Sequence, residues 1–178
     1  MDGLPANRID VTGEIQEPLT IQWAGALPTL EALLLSKGWR APPSWTALNA
    51  LAWLTAKSDA AELPVASRFH SGELPRLTLI LQRDALLNSS RFVLRIWAVD
   101  MELTDRSPLP VWVGSVVEER LDRPLSLFTI VWTQPDINSL RDRATEGLQS
   151  WRLVNRADTP VKGWDGRMLL AQEGSAHK

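Results

Sequence analysis

Three apolar and aromatic runs follow one another between Arg91 and Trp132: RFVLRIWAVDMEL, VWVGSVVEER and LSLFTIVW. Short stretches with Asp, Ser and Pro separate them. In the first run Phe92, Leu94, Ile96 and Ala98 alternate with Arg95, Trp97 and Val99, the period of two that marks a strand. The connections are too short for parallel crossovers, which take a dozen or more residues. Val93–Val99, Val111–Glu118 and Leu125–Trp132 are therefore expected as an antiparallel succession. Leu77, Leu79 and Leu81 add a half-buried strand before the turn at Asn88-Ser89-Ser90.

The flanks carry mixed signals. Residues 1–8 read as a linker end, Ile9–Ile15 as a short strand and Leu19–Trp23 as a firmer one. Leu27, Leu30, Leu33 and Leu34 recur at helical spacing, with Pro28 suited to the first turn and Gly38 to the C′ position. Pro42-Pro43 stops the extended exit, and Ser44 is the candidate N-cap of a second helix reaching Leu54. Lys57–Leu74 is polar and irregular and reads as a long loop. After Thr129–Trp132 comes a helix with Ile137, Leu140, Ala144 and Leu148, then extended Trp151–Arg156. TIQW with its helix and Gly38-Trp39-Arg40 has the same plan, so a β-α-β pseudo-repeat at the two ends is entertained. Met168–Gln172 reads as an edge strand and 173–178 as a fraying tail. The expected fold is α+β: a mainly antiparallel sheet of about six strands with helices on one face, in a single soluble domain with its core over 9–172.

A chain of 178 residues fits one domain able to bury about 70% of its unfolded surface. The hydrophobic fraction of 44% and charged fraction of 22% are ordinary for such a domain. A formal net charge of −2, with basic side chains mostly Arg and dispersed, argues against a nucleic-acid partner. Without cysteine there is no disulfide framework or thiolate metal site. The longest apolar stretches, Leu27–Leu35 and Ala47–Ala56, reach about half of the ~20 residues a spanning helix takes. MDGLPANRID has neither the basic nor the apolar region of a signal peptide.

Candidate chemistry is sparse. The two histidines, His70 and His177, fall short of the three or four ligands of a zinc site, so neither metal nor cofactor is expected. His70, in the polar loop, reads as solvated. Acidic residues stand in near pairs, Asp100 with Glu102 and Glu118 with Glu119. Asp100 and Glu102, two apart on a strand, would share a side, the geometry of a divalent-ion or acid/base pair but equally of a solvated strand end. Arg95 beside Trp97 and Trp112 suggests a cation–π stack of about 0.5–2 kcal/mol, an ion pair with a neighbouring acid, or a fork for phosphate or carboxylate. Arg95, Trp97, Asp100, Glu102 and Trp112 are thus the candidate binding residues; no catalytic residue is assigned. Of nine tryptophans, Trp45, Trp53 and Trp164 lie in the least certain surroundings and are candidates for membrane-surface contact.

Several motifs occur in a familiar order: QWAG (Gln22–Gly25) before a Leu-rich helix, GWR (Gly38–Arg40) leading into prolines, and HSGELPRLTLI (His70–Ile80). VLRIW (Val93–Trp97), PVWVG (Pro110–Gly114) and a late helix with Arg and Asp follow. Over about residues 8–156 the chain resembles the LssY C-terminal domain family. Some members carry His beside the arginine of the VLRIW strand; Phe92 and Val93 stand here, so no imidazole chemistry carries over. The resemblance implies a soluble domain that follows membrane regions similar to DedA proteins and type 2 phosphatidic acid phosphatases. It implies a non-catalytic accessory or regulatory role at the bacterial inner membrane, with this domain on the cytoplasmic side. The partner would be the membrane region of the same polypeptide or another membrane protein, with a lipid or phosphate as possible ligand. The alternatives are a hydrolase-like enzyme for a phosphorylated or lipid substrate, with Arg95, Asp100 and Glu102 lining its cleft, and a free-standing cytoplasmic protein.

Overall fold

A computed structural model describes residues 4–54, 59–82, 89–103, 108–122, 130–133, 137–144, 151–155 and 164–173. In chain order its elements are β1 (Asn7–Ile9), β2 (Ile15–Pro18), β3 (Ile21–Ala24), α1 (Leu27–Ser36) and α2 (Ala47–Leu51). Then come β4 (Leu77–Gln82), β5 (Ser90–Leu103), β6 (Leu109–Asp122), β7 (Ile130–Thr133), α3 (Ile137–Ala144), β8 (Arg152–Asn155) and β9 (Arg167–Gln172). The fold is α+β, as the residue pattern predicts. The main sheet runs β4-β5-β6-β3-β9-β8, with β7 on the far half of β6; β1 and β2 pair separately. All its pairings are antiparallel except β3 with β9.

Register decides what each face carries, because opposed residues of paired strands project to the same side. Arg91 lies opposite Glu119, Val93 opposite Val117, Arg95 opposite Ser115 and Trp97 opposite Val113. These make one face. Phe92, Leu94 and Ile96, with Val116, make the other, and there Leu30 and Leu34 of α1 and Leu140 of α3 complete a core with Ile21, Trp23 and Leu79. Gly114 is required on this face: a Cβ there would sit 2.8 Å from the Arg95 carbonyl oxygen.

α1 begins where expected, with Pro28 in its first turn and Gly38 at φ +89° beyond its end. Its first turn is capped from the other end of the chain. The Glu173 carboxylate accepts from the Ala26 amide at 2.6 Å and from the Thr29 hydroxyl at 2.8 Å, so Glu173 is not part of a frayed tail. α2 continues to Leu54 as a 3-10 turn but starts later than expected, capped by Thr46 and not Ser44: the Thr46 hydroxyl accepts from the Asn49 amide at 3.1 Å.

The second face corrects two expectations. Residues 4–8 are not a linker: Leu4 is buried with Leu19 and Trp97, and Asn7 already belongs to β1. Ile9–Ile15 is not one strand but the turn between β1 and β2, closed by the Asp10 carboxylate accepting from the Thr12 and Glu14 amides. Within the expected long loop Lys57–Leu74, residues 59–74 are described, and they are largely irregular but include a 3-10 turn at Ala60–Glu62 and many buried side chains. Residues 59–70 lie over the sheet with Ala60, Ala61, Leu63, Val65 and His70 buried.

The two β-α-β units join one sheet but are not equivalent. After α1, Arg40 bridges antiparallel to β4, which places it parallel to β3. After α3, β8 runs antiparallel to β7.

Candidate functional site

Arg91 and Arg95 stand four residues apart on β5, about 13 Å along a strand, and both project toward residues 59–70. Their side chains converge on Glu119 of β6. Arg91 Nε and Nη2 donate to Glu119 Oε2 at 3.1 and 2.9 Å, and Arg95 Nη2 donates to Oε1 at 2.9 Å. The remaining Arg91 N–H groups donate to the carbonyls of Ala60 (2.7 Å), Leu63 and Pro64 (3.3 Å), and Arg95 Nη2 also reaches Ala66 O at 3.1 Å. Apart from a 3-10 turn at Ala60–Glu62 the segment is irregular and forms no strand ladder; the two guanidiniums supply donors to its carbonyls and bind it to the sheet. Burial pushes the Glu119 carboxyl up, but the charges of Arg95 and Arg91 outweigh this and hold it below the ordinary glutamate value.

A second charged layer sits beside the first. Glu17 takes Arg8 at 3.0 Å and Arg68 at 3.2 Å, and Arg8 Nη1 donates to Phe69 O at 2.6 Å. Burial pushes the Glu17 carboxyl up, and the two arginines bring it below its ordinary value. His70 is buried, correcting the solvated reading: its Nδ1 accepts from the Ile9 amide at 3.2 Å, and its ring meets Trp97 edge-on at 5.9 Å. Burial, then the Arg8 charge, lower its pKa. Burial lowers that of Arg95 too, opposed by Glu119 and reinforced by Arg68.

Some buried groups of this face have no hydrogen-bond partner among the described residues: Arg95 Nε and Nη1, Trp97 Nε1, Ser115 Oγ and Thr20 Oγ1. They are neighbours. Ser115 is opposite Arg95, Thr20 precedes the Ile21 that pairs with Gly114 and so lies opposite Ser115, and Trp97 is two residues from Arg95 on the same face.

Arg95 and Trp97 therefore share this face. Trp112 does not: it pairs with Ala98, projects to the helix side and donates Nε1–H to Gly25 O at 2.9 Å. A cation–π stack of Arg95 with both Trp97 and Trp112 is thus excluded by strand parity. Asp100 is exposed, and the register shifts between Ala98 and Glu102, breaking the simple alternation that would put the two acids together. The side chain of Glu102 lies outside the described residues. The acid that meets Arg95 is Glu119, which shares parity with Val113, Ser115 and Val117 and was legible from that alternation.

Tryptophans divide as well. Trp164 is buried and donates to Arg167 O at 2.8 Å, so it is no surface contact. Trp45 is 55% exposed, beside Leu48 at 78% and Leu51 at 57%. It stacks parallel on Trp53 at 6.5 Å and is fixed to the covering segment by Nε1–H donation to Val65 O at 2.8 Å. Residues 41–54, which include this surface, contain no Asp, Glu, Lys or Arg.

The family model described as LssY C-terminus matches residues 2–160. The chain belongs to the LssY C-terminus family. No curated protein and no solved structure matches it. In this LssY C-terminus chain no helix among the described residues is long and apolar enough to cross a membrane.

Proposed function

We propose that this LssY C-terminus domain is a non-catalytic accessory domain of a bacterial inner-membrane protein of the DedA or type 2 phosphatidic acid phosphatase kind. It stands on the cytoplasmic side and rests on the lipid–water interface through Trp45, Leu48 and Leu51. The observation that carries the reading is that Trp45, Leu48 and Leu51 are exposed together within a stretch of sequence that carries no charge. Indole rings settle at the headgroup level of a bilayer, and an apolar turn lying in that plane gains by burying its face. Each leucine fully withdrawn from water contributes about 1.5–3 kcal/mol, so this surface supports a reversible contact and not an anchor. A non-catalytic role is supported by the use of Arg91, Arg95 and Glu119, which hold one another and the covering segment.

Flotation with vesicles of phosphatidylethanolamine and phosphatidylglycerol tests it. The chain should rise with the vesicles, and a Trp45→Ala, Leu48→Ser, Leu51→Ser variant of unchanged melting temperature should stay below. Equal behaviour of the two proteins would remove the reading.

A further inference from the structure

The geometry points to a small-oxyanion site under residues 63–68, in which Arg95, Trp97, Ser115 and Thr20 hold a single free phosphate-type anion. This does not depend on the membrane contact proposed above. The chemistry of the unpartnered groups selects the ligand. Arg95 Nε and Nη1 and Trp97 Nε1 can only donate, and the hydroxyls of Ser115 and Thr20 can donate as well. The row is richer in donors than in acceptors, and its fixed donors are on a cation and an indole. A tetrahedral oxyanion offers several acceptors, and even as the hydrogen phosphates of neutral solution it carries more acceptor oxygens than hydrogens; a water molecule brings one oxygen and two hydrogens.

Charge agrees with hydrogen bonding. Arg91 and Arg95 are both fully buried and share the one carboxylate of Glu119, so an extra anion beside Arg95 would offset a guanidinium that burial disfavours. Arg68, partly exposed, is close enough for its charge to bear on Arg95, and it stands at the margin of the covering segment. The ligand is free and small, not a headgroup tethered to its acyl chains, because Arg95, Trp97, Ser115 and Thr20 are all buried and the Ala66 carbonyl lies against Arg95.

Isothermal titration of the chain with inorganic phosphate, at ionic strength held constant with chloride, provides the test. One saturable site is expected. Ser115→Ala and Trp97→Phe each delete a donor while keeping the shape of the core, and each should weaken phosphate about tenfold or more, since a hydrogen bond to a charged group is lost. Unfolding midpoints show whether each variant is folded. Leu48→Ser, on the exposed surface, should bind phosphate as the wild type does, which separates failure here from failure of the membrane reading. No saturable binding at millimolar phosphate, or folded Ser115→Ala and Trp97→Phe proteins that bind like the wild type, would overturn the proposal.

Discussion

Replacing Glu119 by Gln keeps the shape of the central side chain and removes its charge. In the native protein that carboxylate lies 2.9 Å from both Arg91 and Arg95 and is almost inaccessible to water. The amide retains one acceptor oxygen but turns an NH₂ group toward a guanidinium, leaving two buried cations without a counter-charge. Breaking a buried pair in this way costs about 3–5 kcal/mol, a large part of the ~5–15 kcal/mol that holds a typical domain. At about 2–4 °C per kcal/mol for a chain of this length, the melting temperature should fall by ~6–20 °C. Urea unfolding followed by tryptophan fluorescence would give the free energy directly. The pH dependence supplies an independent check. Because the folded-state pKa of Glu119 lies below the ordinary 4.5, its stabilisation is complete above that value and is lost as pH falls through the lower, folded-state value. The variant should lack this acid limb, so the two stability curves should converge as the pH is lowered. A Glu119→Gln protein within about 1 kcal/mol of wild type at pH 7, where ordinary surface changes fall, would refute the assignment of Glu119 as the common counter-charge.

Trp97→Ala should cost about 3–5 kcal/mol as a large-to-small change in a closed core; Trp112→Ala should cost less, since that ring is half-buried, and paired urea melts would rank them. His70 should titrate below 6.5 by NMR, and because its folded-state pKa is depressed, its contribution to stability is present above 6.5 and lost as pH falls through the folded-state value. A His70→Gln chain should show a flatter stability curve in that range. Thr46→Ala removes the α2 cap and should cost about 0.5–2 kcal/mol locally, read as faster hydrogen exchange at the amides of Asn49 and Ala50.

Much of the architecture follows from local pattern. The period-two runs and short connections around Arg91–Glu118 require an antiparallel succession, and Pro28 and Gly38 bound α1, because these signals depend on backbone sterics and near neighbours. Alternation also places Arg95 and Trp97 on one side and Glu119 with them. What alternation cannot say is what covers that side. An arginine in a strand reads as solvent-facing until acceptors arrive, and here they arrive from main-chain carbonyls at 60–66, in a segment with no periodicity of its own.

The same reason explains the other surprises. Only the folded chain brings the Ile9 amide to His70, the Glu173 carboxylate to the start of α1, and Leu4 against Trp97. It also inserts β3 between β6 and β9, both far from it in sequence. By itself the sequence determined the central strands of the main sheet, the first helix and the parity of their side chains, which are set within a few residues. The tertiary structure alone decided that the charged parity would be buried, because the free energy of a guanidinium depends on the acceptors around it, and those come from distant parts of the chain.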